Sequence, residues 1–424
     1  MVGVDIMELL LNNIGKIREA TIIINGITVV AGENNTGKST IGKALFSFFN
    51  SFFEIDKGIK RKRVSNIEFV IRNYAYSNFE DADNYDFVKD VSKRIIDNAE
   101  LFKDNGDKIV EIMAEYLPRS VSIAANSEIV KKIIERLNVS DDDIIKSLLN
   151  NNLQDEFNNQ VNYLYDERKG NISLRIKGDT CLVTVGDNKV IKLENPFKLG
   201  TEAVYIDDPF VLDEIPAESI VSRFYRQRNS HRNHLKTKLF EFHDNSDIVE
   251  EVIVNDKLKK ILDMIDSFCK GFIFRDSPKK YGYKEKGGNK SLDIRNLSTG
   301  LKTFVIVKTL LTNGTIEENG TIIFDEPEIH LHPEWQLLLA EIIVLLQQEF
   351  NLHILMTTHS PYFLRAIQVF SEKYDINHKC NYYSAELNKD NLVEMVDVTD
   401  DIEKIYYKLA MPLQRLESER WKND

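Results

Sequence analysis

The octapeptide Gly32-Glu33-Asn34-Asn35-Thr36-Gly37-Lys38-Ser39 constrains this chain more than any other stretch, because it satisfies G-x-x-x-x-G-K-[ST] in the context that gives the pattern its chemistry. The apolar run Ile27 to Ala31 precedes it. After it, Ser39 to Phe52 carries Ile41, Ala44, Leu45, Phe48 and Phe49 at helical spacing, so the expected unit is strand, loop, helix. Glycines let the backbone wrap a phosphate, the helix start aims amide dipoles at it, and Lys38 supplies a positive charge. The Ser39 hydroxyl can ligate Mg²⁺. Together with Thr40, the motif predicts a site for ATP and Mg²⁺; a glycine turn opening an ordinary helix is the structural alternative.

At 424 residues, the chain has room for about two to three domains. Apolar residues at 42% and charged residues at 29% are globular values, so most of the chain should fold. A net charge of −12 disfavours whole-molecule attraction to nucleic acid or an anionic bilayer and leaves open a local basic face. Cys181, Cys269 and Cys380 are too few and too scattered for a disulfide framework or a CxxC site, which points to a reducing cytoplasm. The opening MVGVDIMELLLNNIGKI lacks a basic flank and is cut by Asn12 and Asn13, so no secretory signal is expected. No run reaches the roughly 18 to 20 apolar residues of a membrane helix, and a soluble protein without a membrane partner is expected.

Along the chain, Glu8 to Asn12, Ala20 to Ile24 and Ile27 to Ala31 read as short strands separated by turn residues. Residues 53–168 read as an inserted, mostly helical lobe, with amphipathic runs such as Ile129 to Leu137 and Asp143 to Leu149. Within 169–215, NISLRIKG, DTCLVTVGDN and KVIKL alternate apolar and polar residues, which predicts antiparallel hairpins before a buried strand at Ala203 to Ile206. Residues 216–290 read as a second helical segment closed by the Gly/Lys-rich loop KKYGYKEKGGNK. In 291–424 come a helix after Ser298, the strand TIIFD, a helix from Pro333, the strand HILMTT and an α/β tail.

Three further clusters carry chemistry. The strand TIIFD ends in Asp325 and Glu326, the first suited to a Mg²⁺ shell and the second to orienting or deprotonating an attacking water. Acid pairs at strand ends are also common as solvated caps. Ser298 reads as an N-cap with Thr299 and Gly300 in the first turn, a second anion-accepting helix start or a plain cap. His359 ends the next apolar strand, where it can hydrogen-bond a γ-phosphate and register its loss, or serve structure alone.

In the chain order of phosphate loop, Leu-Ser-x-Gly segment, acid pair and histidine, the four elements resemble the ATP-binding-cassette type P-loop ATPases, most closely the soluble RecF, SMC and OLD-like branch. The stretches that carry the likeness are NNIGKIREATIIINGITVVAGENNTGKST, NLSTGLKTF and DEPEIHLHPEWQ, roughly Met7 to Asn50 and Leu292 to Ile367. The resemblance implies an α/β fold: an ATPase head of mixed sheet plus an antiparallel β subdomain, with inserted helical lobes. It also implies two protomers facing head to tail, Ser298, Thr299 and Gly300 of one completing the ATP site held by Lys38 and Ser39 of the other. Glu326 would be the hydrolytic base and His359 the switch residue. Thr299 and Leu301 depart from a transporter's Leu-Ser-Gly-Gly-Gln, and Asp207 and Asp208 stand after the strand Ala203 to Ile206, where such ATPases usually have a glutamine; Gln160 is a poorer counterpart.

Weaker features complete the reading. His330 and His332 form an HxH that continues the acid segment into an interface loop, so a metal pair is disfavoured. His231, His234 and His243 read as solvated helix residues. Arg223, Arg226, Arg228, Arg232 and Lys236, interleaved with Phe224 and Tyr225, form a stripe that can track the phosphates of DNA or RNA or serve as a solvated helix face. The run Lys60 to Arg63 offers the same two readings. No nuclease pattern is evident. The resulting expectation is a cytoplasmic, homodimeric ATPase that gates nucleic-acid engagement or a separate effector such as a nuclease, as in bacterial anti-phage defence; the alternatives are a RecF/SMC-like repair or replication ATPase and a transporter subunit.

Overall fold

The computed structural model describes residues 6–78, 85–116, 123–214, 230–240, 248–277, 280–285, 287–288 and 290–421. The chain divides into two compact units, residues 51–149 and the remainder.

The larger unit opens with β1 (Met7–Ile14), β2 (Ile17–Ile24), β3 (Ile27–Ala31) and α1 (Lys38–Phe52). The chain then enters the smaller unit through α2 (Ile55–Asn78), α3 (Tyr85–Asp97), α4 (Ala99–Phe102), α5 (Gly106–Ala114) and α6 (Glu128–Leu137), and returns along α7 (Asp141–Glu156). Next come β4 (Gly170–Ile176), β5 (Asp179–Gly186), β6 (Lys189–Glu194), β7 (Ala203–Ile206), α8 (His231–Phe240) and α9 (Ile248–Phe268). A small sheet follows from β8 (Gly271–Ser277), β9 (Lys280–Glu285) and β10 (Leu292–Asp293). The last stretch holds α10 (Thr299–Thr312), β11 (Thr321–Asp325), α11 (Pro333–Phe350), β12 (His353–Thr358), α12 (Pro361–Lys373), β13 (Cys380–Leu387), β14 (Val393–Asp397) and α13 (Glu403–Trp421).

An 11-stranded sheet organises the larger unit in the order β6-β5-β4-β1-β2-β14-β13-β3-β12-β11-β7. From β13 to β7 every neighbouring pair is parallel, whereas β6-β5-β4-β1-β2 is an antiparallel run. This mixed sheet with its antiparallel extension is the α/β architecture expected from the sequence. The parallel strands explain their own composition. Sheets covered on both faces need apolar residues at successive positions, and TIIFD and HILMTT have no polar face to spare. Within β11, Ile322 and Phe324 join the core that holds α10, α11 and α12, while Ile323 turns to the other face and meets Gly42 of α1. Val204 and Ile206 alternate with Tyr205 in the same way on β7.

The segment 280–285 is a correction to the sequence reading. It was expected within a loop, yet it pairs as β9 with β8, Tyr281 and Tyr283 being buried on alternate positions. The Gly and Lys content masked a two-residue alternation.

Helices α2 to α6 supply the core of the smaller unit from Ile67, Ile71, Val91, Ile95, Ile109 and Ile133. In the basic run, Lys60 pairs with Asp97 at 2.6 Å. Arg63 donates to the carbonyls of Leu137 and Val139 at 3.0 and 2.8 Å and pairs with Asp141 at 2.7 Å. Among the described residues no helix is long and apolar enough to cross a membrane.

Leu345 of α11 is fully buried at the centre of the sheet-helix core. Leu345→Ala should lower unfolding free energy by about 2–5 kcal/mol, seen as an earlier urea midpoint at unchanged slope.

Candidate active site

The phosphate-loop segment bends because two of its residues take left-handed torsions, Asn35 at φ 61° and Gly37 at φ 71°. Glu33, Asn34 and Asn35 are exposed, while Gly32 is buried against Ala385 of β13, where a Cβ would lie 2.8 Å from the alanine methyl. The Thr36 hydroxyl donates to the Glu33 carbonyl at 2.7 Å, and the Thr40 amide donates to the Gly37 carbonyl at 3.0 Å. Lys16, in the turn between β1 and β2, braces the loop by donating to the Asn35 carbonyl at 3.2 Å. The first turn of α1 thus presents Lys38, Ser39 and Thr40 at the carboxyl edge of the parallel strands, where a helix N-terminus favours anions.

Lys38 is only 4% exposed. Its ammonium donates to the carbonyls of Gly32 and Glu33 at 3.2 and 2.9 Å, lies 2.8 Å from Nε2 of His359, and is 3.8 Å from Oε1 of Glu326. Burial lowers its pKa, against the attraction of Glu326, Asp325 and Glu328.

Both acids at the end of β11 are held in place. The Asp325 carboxylate accepts from the Thr357 hydroxyl at 2.5 Å on one oxygen and from the Tyr205 hydroxyl at 2.8 Å on the other. Glu326 adopts φ 52°, and its amide donates to the Thr357 carbonyl at 3.2 Å and the Thr357 hydroxyl at 3.0 Å. Its Oε1 lies 2.6 Å from His359 Nε2. That hydrogen bond is the main reason the Glu326 carboxyl is held below the usual glutamate range, burial opposing it and Lys38 adding to it.

A single nitrogen of His359 therefore faces a donor and an acceptor. Bare, Nε2 accepts from Lys38; protonated, it donates to Glu326.

The loop carrying His359 hangs on a residue that motif reading passed over. Glu328 is 3% exposed, and its Oε1 accepts from the Thr358 hydroxyl and from the amides of His359 and Ser360 at 3.0 and 3.3 Å. Burial raises its pKa, the hydrogen bonds it accepts opposing the shift. The second glutamate of Asp325-Glu326-Pro327-Glu328 was the available signal. For Tyr205 no signal existed beyond a polar tip inside a buried strand.

Ser39, Asp325 and Glu326 open onto a cavity of about 260 Å³, also lined by Asp207, Asp208, Arg232, Thr303 and His330. Ser298, Thr299 and Gly300 are not among its lining residues. Ser298 is exposed at the start of α10 and makes no side-chain cap hydrogen bond, while Gly300 packs so closely on Trp335 that a Cβ would lie 2.9 Å from the indole. His330 packs edge-on against Phe210 at 5.5 Å. Among the described residues no group of three or more His, Cys, Asp and Glu side chains is suited to hold a metal ion. The hard oxygen donors of Ser39 and Asp325 nevertheless fit Mg²⁺, which takes few protein ligands and completes its shell with phosphate and water.

Two histidines expected to be solvated are not. His231 is 9% exposed, its Nδ1 lying 2.6 Å from Glu156 and its Nε2 3.1 Å from Asp207; His234 bonds Glu202 at 2.8 Å. Burial disfavours charge on His231, but its bonds to Asp207 and Glu156 prevail and raise its pKa to about 9. Asp207 is correspondingly held down to about 2, its bonds to His231 and Arg232 outweighing burial. Period alone cannot reveal carboxylates supplied by distant segments. Of the basic stripe, Arg232 donates to Asp207 at 2.8 Å and Lys236 pairs with Glu214. Arg223, Arg226, Arg228 and His243 lie outside the described residues.

Comparison with known proteins supplies relatives. Residues 27–365 match the family described as "AAA domain, putative AbiEii toxin, Type IV TA system". The chain is 22% identical over 403 residues to the "Retron Vc95 probable ATPase" of Vibrio cholerae serotype O1 biovar El Tor, covering 84% of this chain and 69% of that protein. Among solved structures, it is similar to the SMC head domain from Thermotoga maritima, at 11% identity and TM-score 0.37 over 93% of this chain and 98% of the other. It is also similar to an Smc head domain with an extended coiled coil bound to the C-terminal domain of ScpA, derived from Pyrococcus furiosus, at 12% identity and TM-score 0.41 over 98% and 99%.

Two outcomes test this geometry. Glu328→Ala should cost about 2–4 kcal/mol in urea unfolding by orphaning the His359 and Ser360 amides, while Glu328→Gln, which keeps the acceptor, should stay within about 1 kcal/mol of the parent. The contribution of His231 to stability should be complete below its ordinary pKa of 6.5 and fade as pH rises through about 9, because the folded state holds the proton more tightly. His231→Gln should flatten that part of the stability profile.

Proposed function

The chain belongs to this AAA domain family, and from that premise we propose that it binds ATP with Mg²⁺ and hydrolyses it between two copies of itself. The observation that carries the proposal is the meeting of Lys38, Glu326 and His359 within hydrogen-bonding and ion-pairing distance, beside an Asp325 whose two oxygens are both oriented.

The α1 start and the phosphate loop would hold the triphosphate, the Lys38 ammonium turning from the loop carbonyls to the phosphate oxygens. Ser39 and Asp325 would hold Mg²⁺, which when bound neutralises charge on the phosphate oxygens. Glu326 would take a proton from water as its oxygen attacks the γ-phosphorus, and the bond from that phosphorus to the bridging oxygen of ADP breaks. His359 would exchange its Lys38 and Glu326 contacts as the γ-phosphate comes and goes. Ser298, Thr299 and Gly300, outside the cavity lining of their own chain, would close the site of a second copy head to tail.

Dimer closure would then control an effector protein such as a nuclease, or engagement of DNA or RNA, in bacterial anti-phage defence. The retron ATPase relative and the toxin-antitoxin wording of the family description support that role. Arg223, Arg226 and Arg228 remain the candidates for phosphate contact, since Arg232 and Lys236 already face carboxylates. We keep the RecF/SMC-like repair role as the alternative, and a nuclease partner captured from cells would favour the first reading.

Lys38→Ala should abolish ATP binding in calorimetry. Glu326→Gln should bind ATP with turnover reduced at least a hundredfold and accumulate as a dimer by light scattering with Mg²⁺ and ATP; unchanged phosphate release would remove Glu326 from the role of base.

A further inference from the structure

Tyr205 is fully buried on the edge strand β7, paired in register with Ile323 of β11, and its ring turns toward α1. Its hydroxyl lies 2.8 Å from Asp325 Oδ2 and 3.5 Å from the Ser39 carbonyl oxygen. One phenol therefore stands beside both residues suited to the metal. The space it occupies is reserved by Gly42, where a Cβ would lie 3.1 Å from the Tyr205 oxygen and 2.9 Å from Ile323.

The ring is fixed from its other side. The His231 imidazole stacks on it at 4.3 Å and 24°, and Phe46 meets both rings edge-on. Glu156 and Asp207 clamp the imidazole through both ring nitrogens, and Glu156 also accepts from the His231 amide at the start of α8. A protonated imidazole over the ring face is a stacked cation, an arrangement that draws electron density from the phenol and strengthens O–H donation. In its bond to Asp325 the phenol hydroxyl is the donor, since the carboxylate oxygen only accepts.

We propose that Tyr205 is a positioning residue for the metal, fixing the Asp325 carboxylate with Oδ1 on Thr357 and Oδ2 on the phenol, and that His231 locks Tyr205 in place. This rests on the reading of Asp325 as a Mg²⁺ ligand. The phenol itself touches no reacting atom. Without it, the carboxylate gains rotational freedom that metal binding must remove, so the loss should fall on the metal-dependent part of nucleotide affinity.

The test uses the full chain carrying Glu326→Gln, so that ATP survives the measurement. ATP affinity is measured by calorimetry with Mg²⁺ and with EDTA, and the ratio of the two is the metal enhancement. Tyr205→Phe retains the ring, the stack and the packing, and should lower the enhancement about threefold to tenfold, with the EDTA affinity and thermal midpoint as in the parent. His231→Gln keeps a donor but removes the stacked ring, and should lower the same ratio without touching the hydroxyl. Asp325→Asn separates the two levels of the claim. If it leaves the enhancement unchanged, the reading of Asp325 fails and Tyr205 falls with it. If it removes the enhancement while Tyr205→Phe matches the parent, the site stands and Tyr205 has no positioning role. An equal loss of affinity in EDTA and in Mg²⁺ for Tyr205→Phe assigns the phenol to packing and overturns the proposal.

Discussion

A lysine ammonium at 4% exposure is costly unless anions or dipoles stand in for the water it has lost, and the sheet order of this protein answers that requirement for Lys38. β3 delivers the loop whose carbonyls it bonds, β12 beside β3 delivers His359, and β11 beside β12 delivers Asp325 and Glu326. These strands are parallel, so their carboxyl ends share one edge of the sheet and the charges converge there. A displacement of β12 would take His359 from the ammonium, and a displacement of β11 would take Glu326.

Around that centre, supporting contacts divide by residue. Thr357 serves both acids at once, donating to Asp325 and accepting from the Glu326 amide. Glu328 gathers three donors from the end of β12 and the turn after it, which fixes where His359 stands, and Tyr205 approaches Asp325 from β7. The acids are therefore braced from the strands on either side of their own. Such bracing is the means by which a charged site keeps its geometry when its ligand arrives.

The motifs and the strands that end in them were legible because their chemistry is local: a glycine pattern between an apolar run and a helical period, and acids or a histidine closing a short apolar run. The α/β class came with the family that those motifs resemble. What stayed hidden depends on long-range meeting. His231 gave no sign of burial, since Glu156 and Asp207 lie 75 and 24 residues away in sequence. Tyr205 and Thr357 looked like ordinary strand residues, and their hydroxyls gain meaning only from the register of β7, β11 and β12. The strand at 280–285 was obscured by its lysines and glycine, although Tyr281 and Tyr283 carried the two-residue rhythm.

The left-handed torsion of Glu326 creates a conflict between backbone and side chain at one position. Glycine relaxes that torsion, and asparagine or aspartate tolerates it better than glutamate, but none of the three reaches as far. Glutamate reaches His359 at a strain of about 1–3 kcal/mol. Substitutions that ease the main chain shorten the arm, so drift toward a more stable fold is steered away from this residue by the same geometry that makes it uncomfortable.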